Sequence, residues 1–170
     1  CRRLDPCRGE EYLSIFQFGD EFVDFHRRHG ATRDYAGPAW AAFVWIDIDR
    51  LPEEGGIERA LVDTRNLVDV LEESFEVPRH FLLTFFSGSK GFHVGIPTAL
   101  WNPPPCHDFP FKVRTFVQGI ATEAKVHPDM TIYSHVHVLR APNSKNPKSG
   151  LYKRYSNPAD LDRLTAEDVI

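Results

Sequence analysis

The stretch "FVWIDIDR", residues 43 to 50, constrains this chain more than any other. Phe43, Val44, Trp45, Ile46 and Ile48 suit a pleated, half-buried surface, and Gly37-Pro38 before them and Pro52 after them bound a strand. Side chains two apart on a strand share a face, so Asp47 and Asp49 project together while Ile46 and Ile48 point the other way. Two carboxylates about 5 Å apart repel by about 3 kcal/mol at an effective dielectric of about 20. A strand buried to its end must relieve that repulsion with a shared proton or a bound cation. A strand that stops before Asp47 leaves both groups in water, and the octet alone leaves the two solutions open.

The surrounding pattern supplies the fold class. "EEYLSIFQFGDEFVDFHRRHG" predicts an extended piece and then a short helix, with Phe22, Val23 and Phe25 packing inward and Gly30 ending it. In "GGIERALVDTRNLVDVLEESFEVP" the apolar residues at 57, 61, 67, 68, 70, 71 and 75 fit an amphipathic helix of about five turns. "RHFLLTFF" and "FHVGIP" read as two strands of a hairpin joined by the turn "SGSKG". A second long helix, "PFKVRTFVQGIATEAKV", follows the proline-rich "NPPPCHDFP", and "YSHVHVLRAP" and "GLYKRY" read as strands or short irregular elements around the loop "PNSKNPKSG". Strands interspersed with helices predict an α/β (α+β) sandwich, and 170 residues suffice for one domain with a substantial core.

Charge divides the chain unequally. Residues 1 to 80 hold 10 Lys and Arg against 17 Asp and Glu, a net of -7, and residues 81 to 170 hold 10 against 7, a net of +3. An acidic half with the carboxylate pair thus faces a basic half suited to phosphates, so the overall charge of -4 does not exclude a polyanionic partner. The longest apolar run, "WAAFVWI", is far short of the roughly 20 residues a membrane helix needs, so no membrane partner is expected. The opening "CRRLDPC" in place of Met suggests a piece of a longer protein. Cys1, Cys7 and Cys106 show no CxxC spacing, which argues against a disulfide framework and a zinc ribbon and for a reducing, intracellular setting. With His107 beside Cys106 they supply four possible zinc ligands, but structural zinc is not expected.

Two later stretches carry complementary chemistry. "FFSGSKGFHVGIP" groups Ser87, Ser89, Lys90 and His93 around Gly88 and Gly91, where exposed N–H groups, hydroxyls and an ammonium can cradle phosphate oxygens. "VHPDMTIYSHVHVLRAPNSKNPKSGLYKRY" supplies a third carboxylate, Asp129, and then Arg140, Asn143, Ser144, Lys145, Lys148, Ser149 and Lys153. Asp129 can complete an acidic cluster for divalent metal, and the basic loop can hold a phosphorylated ligand. His135 and His137 alternate around Val136 and read as structural or template-facing residues.

Together "WIDID", "SGSKGFH", "HPD" and "LRAPNSKNPKSG" resemble, in order and spacing, the signature of the archaeo-eukaryotic primase superfamily, the primase-polymerases. The resemblance runs over residues 39 to 155. It implies that family's fold, an RRM-like sheet joined to a second small α/β lobe with the active site between them. It implies a DNA-templated nucleotidyltransferase, a primase or DNA polymerase of DNA replication, using two Mg²⁺ or Mn²⁺ ions held by Asp47, Asp49 and Asp129. It further implies that Ser87, Ser89, Lys90 and His93 hold the triphosphate of an incoming NTP or dNTP, while Arg140, Ser144 and Lys148 line the nucleotide pocket. A single-stranded DNA template and a helicase or zinc module in the parent chain are the partners implied. Asn146 stands where members often have histidine, and "KSG" replaces "KTG". Two other readings use some of the same residues. A metal-dependent glycosyltransferase accounts for the DxD but leaves the serine-glycine-lysine-histidine turn and Asp129 unexplained. A catalytically inactive module that binds single-stranded nucleic acid accounts for the aromatics and the basic loop.

Overall fold

In the computed structural model, which describes residues 9 to 170, the chain runs β1 (Tyr12–Ser14), β2 (Gln17–Phe18), α1 (Asp20–His29), β3 (Ala39–Trp40), β4 (Phe43–Asp49), α2 (Gly56–Glu73), β5 (Leu83–Phe86), β6 (Gly91–Pro97), α3 (Phe109–Ala124), β7 (Val138–Arg140), β8 (Arg154–Ser156) and α4 (Ala166–Val169). It is a mixed α/β protein. Four antiparallel strands form the main sheet in the order β4-β6-β5-β8, and two-stranded ribbons pair β1 with β7 and β2 with β3.

Alternation along β4 creates two different sheet faces. Ile46 and Ile48 are fully buried and stand opposite Val94 and Phe92 of β6, forming an apolar face with Ile96 and Phe86. Helix α2 packs on this face with Leu61, Leu67, Val68 and Leu71, and α3 lies against α2. Its 18 residues match the five turns expected, and the predicted apolar stripe is the buried one. At about 25 cal/mol per Å² of apolar surface, each fully buried Leu or Ile here contributes roughly 2 kcal/mol.

The other face carries Trp45, Asp47 and Asp49 of β4, Gly95, His93 and Gly91 of β6, and Phe85 of β5. The ribbon β1–β7 lies across part of it, so that Leu13, Leu139, Trp45 and Phe85 share one small cavity of about 160 Å³. One buried core cluster extends from Ile15 to Val169 through both helices and the sheet.

Two local expectations are corrected. Val23 is exposed, because the inward stripe of α1 is Phe22 and Phe25, whose rings meet the edge of Tyr35 at 4.9 and 5.4 Å between centroids. Val23 lies one residue, about 100°, round the helix from Phe22. Gly30 does end the helix, at φ 66°, with its N–H donating to the His26 carbonyl. The apolar segment between Gly37-Pro38 and Pro52, expected to hold one strand, is also divided. It breaks at Ala41 and Ala42, so that β3 pairs with β2 while β4 enters the main sheet.

Candidate active site

The three motif stretches converge because each is tied to β4 by backbone hydrogen bonds. Asp47 pairs in register with His93 of β6, and Asp49 with Gly91. The segment bearing Asp129 docks on the same strand, its N–H donating to the Asp47 carbonyl at 2.8 Å. The β5–β6 turn is closed by Ser87 N–H to the Gly91 carbonyl at 2.9 Å, with Gly88 at φ 83°, a conformation that favours glycine. A side chain at Gly91 would collide with the Ile48 carbonyl and the Asp49 carboxylate, so glycine is what lets the turn lie against the acidic strand end.

One cleft of about 350 Å³ collects Asp47, Asp49, Asp129, Ser87, Ser89, Lys90, His93, Arg140 and Lys148. These are all the expected site residues except Ser144. Lys90 Nζ lies 3.1 Å from Asp49 Oδ2, and His93 Nε2 approaches Asp47 Oδ1 at 3.4 Å without forming a hydrogen bond. Arg140 donates from Nη1 to the Lys145 carbonyl at 2.8 Å and from Nη2 to the Tyr12 hydroxyl at 3.2 Å and Glu10 Oε1 at 3.3 Å. Its guanidinium also lies over the Tyr12 ring at 5.1 Å. Ser144 is fully buried outside the cleft, with its hydroxyl bonded to the Ala141 and Glu11 carbonyls at 2.7 and 3.2 Å. It braces the basic loop from behind. His137 lines the cleft, and His135 stands outside it, near Tyr35.

Glu10 and Tyr12 join the cleft although no motif contains them; the pairing of β1 with β7 brings them beside Arg140. Asn146 also lines it and accepts the Lys148 N–H at 2.9 Å. Lys153 lies beneath the cleft. It is buried, donates to the Arg140 carbonyl at 2.8 Å, and sits over the rings of Trp45 and Phe85 at 5.3 and 4.9 Å.

Burial dominates the electrostatics. It pushes the Asp47 carboxyl up to about 8, with the charges of Asp49 and Asp129 adding to the effect and those of Lys153 and Lys90 opposing it. His93 is held well below the ordinary imidazole value by burial and then by the charges of Lys153 and Arg140, so it is neutral at physiological pH. Burial lowers Lys153 to about 7, against the pull of Asp47.

Among the described residues no three His, Cys, Asp or Glu side chains are gathered closely enough to cage a metal ion. Asp47, Asp49 and Asp129 line one cleft without converging, and Asp129 Oδ1 is engaged by the N–H and hydroxyl of Thr131 at 2.8 and 2.7 Å. The donors nonetheless suit a hard divalent cation. All are carboxylate oxygens, and Asp47 Oδ1 is buried with no hydrogen-bond partner, so a cation there would satisfy it and offset the mutual repulsion. Cys106 Sγ instead takes Lys112 Nζ at 3.6 Å and His107 Nδ1 lies 3.0 Å from the Ala36 carbonyl, while Cys1 and Cys7 lie outside the described residues. A separate apolar hollow of about 300 Å³ between α3 and Trp101 contains no carboxylate. No described helix is long and apolar enough to cross a membrane.

A scan against protein-family models finds no family that matches this chain, and a search of curated proteins returns no similar one.

Proposed function

We propose that the cleft is the nucleotidyl-transfer site of a primase-polymerase domain, which copies a single-stranded DNA template using nucleoside triphosphates. The observation that carries this reading is the meeting, in one cleft, of three carboxylates and the serine-lysine-histidine turn, drawn from stretches more than 80 residues apart at their extremes, Asp47 and Asp129. The antiparallel four-stranded sheet, with helices on one face and a short ribbon over the other, supports the finer fold reading of an RRM-like sheet with a second small lobe across the site.

Asp47, Asp49 and Asp129 would hold Mg²⁺ or Mn²⁺. Such ions, when bound, lower the pKa of an attacking 3′-hydroxyl and neutralise a departing pyrophosphate. Lys90, Arg140 and Lys148 supply positive charge along the same cleft for the triphosphate, and Ser87, whose buried Oγ has no hydrogen-bond partner, can donate to a phosphate oxygen. Neutral His93 can donate one hydrogen bond without adding charge beside Asp47. A rigid strand and hairpin hold these groups, which limits the reorganisation that transfer would otherwise require.

The test is synthesis on single-stranded DNA with Mn²⁺ or Mg²⁺ and labelled NTPs or dNTPs, with and without an annealed primer, beside an Asp47→Ala/Asp49→Ala control. Products in both reactions that vanish in the control are expected of a primase-polymerase, and products only with primer restrict the activity to extension. Binding of DNA without synthesis under either metal would replace this reading with that of an inactive nucleic-acid-binding module.

A further inference from the structure

We infer that Arg50, the last residue of "FVWIDIDR" and one to which the resemblance assigns no role, is a positioning residue that clamps the backbones carrying the candidate metal ligands. The inference rests on the reading of Asp47, Asp49 and Asp129 as metal ligands. Arg50 is buried, and its contacts reach all three stretches. Its backbone N–H donates to the Lys90 carbonyl at 3.1 Å, and its Nη1 donates to the carbonyls of Asp49 at 2.6 Å and His127 at 2.9 Å. His127 lies two residues before Asp129. The other side of the guanidinium is anchored on α2, where Nε and Nη2 approach Asp63 Oδ2 at 2.7 and 2.6 Å.

Asp63 is itself completely buried on a helix whose other inward residues are mostly apolar, so this ion pair is expensive unless every contact is made. The exposed Arg59 approaches its second oxygen at 2.9 Å as an ion pair without forming a hydrogen bond. The planar guanidinium sets the distance between the Asp49 and His127 carbonyls and fixes both relative to α2. A lysine, with one nitrogen at the end of a flexible stem, cannot hold two carbonyls and a carboxylate in that fork. The need for such a clamp is electrostatic. Asp47, Asp49 and Asp129 repel one another when all three are ionised, as a metal site requires, and Arg50 restrains the backbone of two of them without occupying their side-chain oxygens.

The test is a Mn²⁺ titration followed by the electron paramagnetic resonance signal of the free ion. It compares wild type, Asp47→Ala/Asp49→Ala, Arg50→Lys, Arg50→Gln and Asp63→Asn, with thermal unfolding measured in parallel. We expect Arg50→Lys and Arg50→Gln to bind Mn²⁺ about 10- to 100-fold more weakly than wild type, the range typical of lost outer-shell partners of metal ligands. Asp63→Asn keeps an acceptor at the same place and should fall between. The sign is diagnostic for Arg50→Gln, because removing a positive charge beside a cation site would by itself strengthen Mn²⁺ binding. Variants that melt earlier but bind Mn²⁺ as tightly as wild type, or more tightly, would reduce Arg50 to a purely structural role and overturn the inference. If neither Arg50 variant folds, a folded Asp63→Asn with wild-type affinity overturns it equally. Wild type that binds no more Mn²⁺ than Asp47→Ala/Asp49→Ala would instead remove the metal-site reading on which the clamp depends.

Discussion

Asp47→Asn isolates the cost of placing a carboxylate on the buried end of β4. Burial, aided by Asp49 and Asp129, raises the Asp47 carboxyl from 3.8 to about 8, which at about 1.4 kcal/mol per pH unit amounts to about 6 kcal/mol against its ionised form. The native state therefore holds this proton more tightly than the unfolded chain does. Stability from protonated Asp47 is complete below pH 3.8 and is lost as the pH rises toward 8, by about 1.4 kcal/mol per unit. Lys153, lowered to about 7, acts in the opposite sense, but only above that pH. Between pH 5 and 7 the Asp47 effect consequently stands alone in this pair, and Asp47→Asn should gain about 3 kcal/mol relative to wild type. Urea unfolding in EDTA at pH 5, 6 and 7 measures it. A difference between the two proteins that stays flat over that interval would show that Asp47 titrates as an ordinary surface carboxylate and would refute the account of its burial. The same linkage makes divalent-cation binding compete with the proton, so wild-type affinity should rise about tenfold per pH unit up to about pH 8.

Gly91→Ala drives a methyl group toward the Ile48 carbonyl and the Asp49 carboxylate, and should lower stability by at least about 2 kcal/mol; an unchanged melting temperature would contradict the packing of the turn against β4. Ser144→Ala should cost about 1 kcal/mol and leave the KM for nucleotide unchanged, since the hydroxyl is bonded to the Ala141 and Glu11 carbonyls; a raised KM with intact stability would return Ser144 to the pocket. Lys153→Met removes a charge that, after burial, holds His93 below the ordinary imidazole value, so the His93 titration should move upward; histidine ring resonances followed by NMR report it, and no movement would refute the coupling. Lys90→Ala should raise the KM for nucleotide about tenfold or more, and a KM equal to that of wild type would remove Lys90 from triphosphate binding.

Most of the fold's local structure was legible because it repeats along the chain. The 3.6-residue apolar period of α2 and the strand–turn–strand pattern around "SGSKG" need no distant partner to be read. Val23 faces solvent because adjacent helical positions differ by about 100°, and ring contacts with Phe18 and Tyr35, both outside the helix, decide that Phe22 and Phe25 face inward. The break between β3 and β4 left no mark in an apolar run, since both pieces are equally suited to a strand and differ only in which partner they pair with.

The sequence by itself determined that Asp47 and Asp49 share a face, that serine, lysine and histidine side chains cluster in one glycine-rich turn, and that a third carboxylate lies ahead of a basic loop. Each follows from residue type and short-range periodicity. Only the tertiary structure decided that these stretches meet in one cleft, that Ser144 stays behind it while Glu10 and Tyr12 enter it, and that Arg50 and Lys153 are buried beside it without lining it. The reason is physical. Charged side chains such as Arg50, Asp63 and Lys153 look solvent-facing in any local window, and their burial becomes tolerable only when carbonyls, carboxylates and rings from distant segments satisfy them.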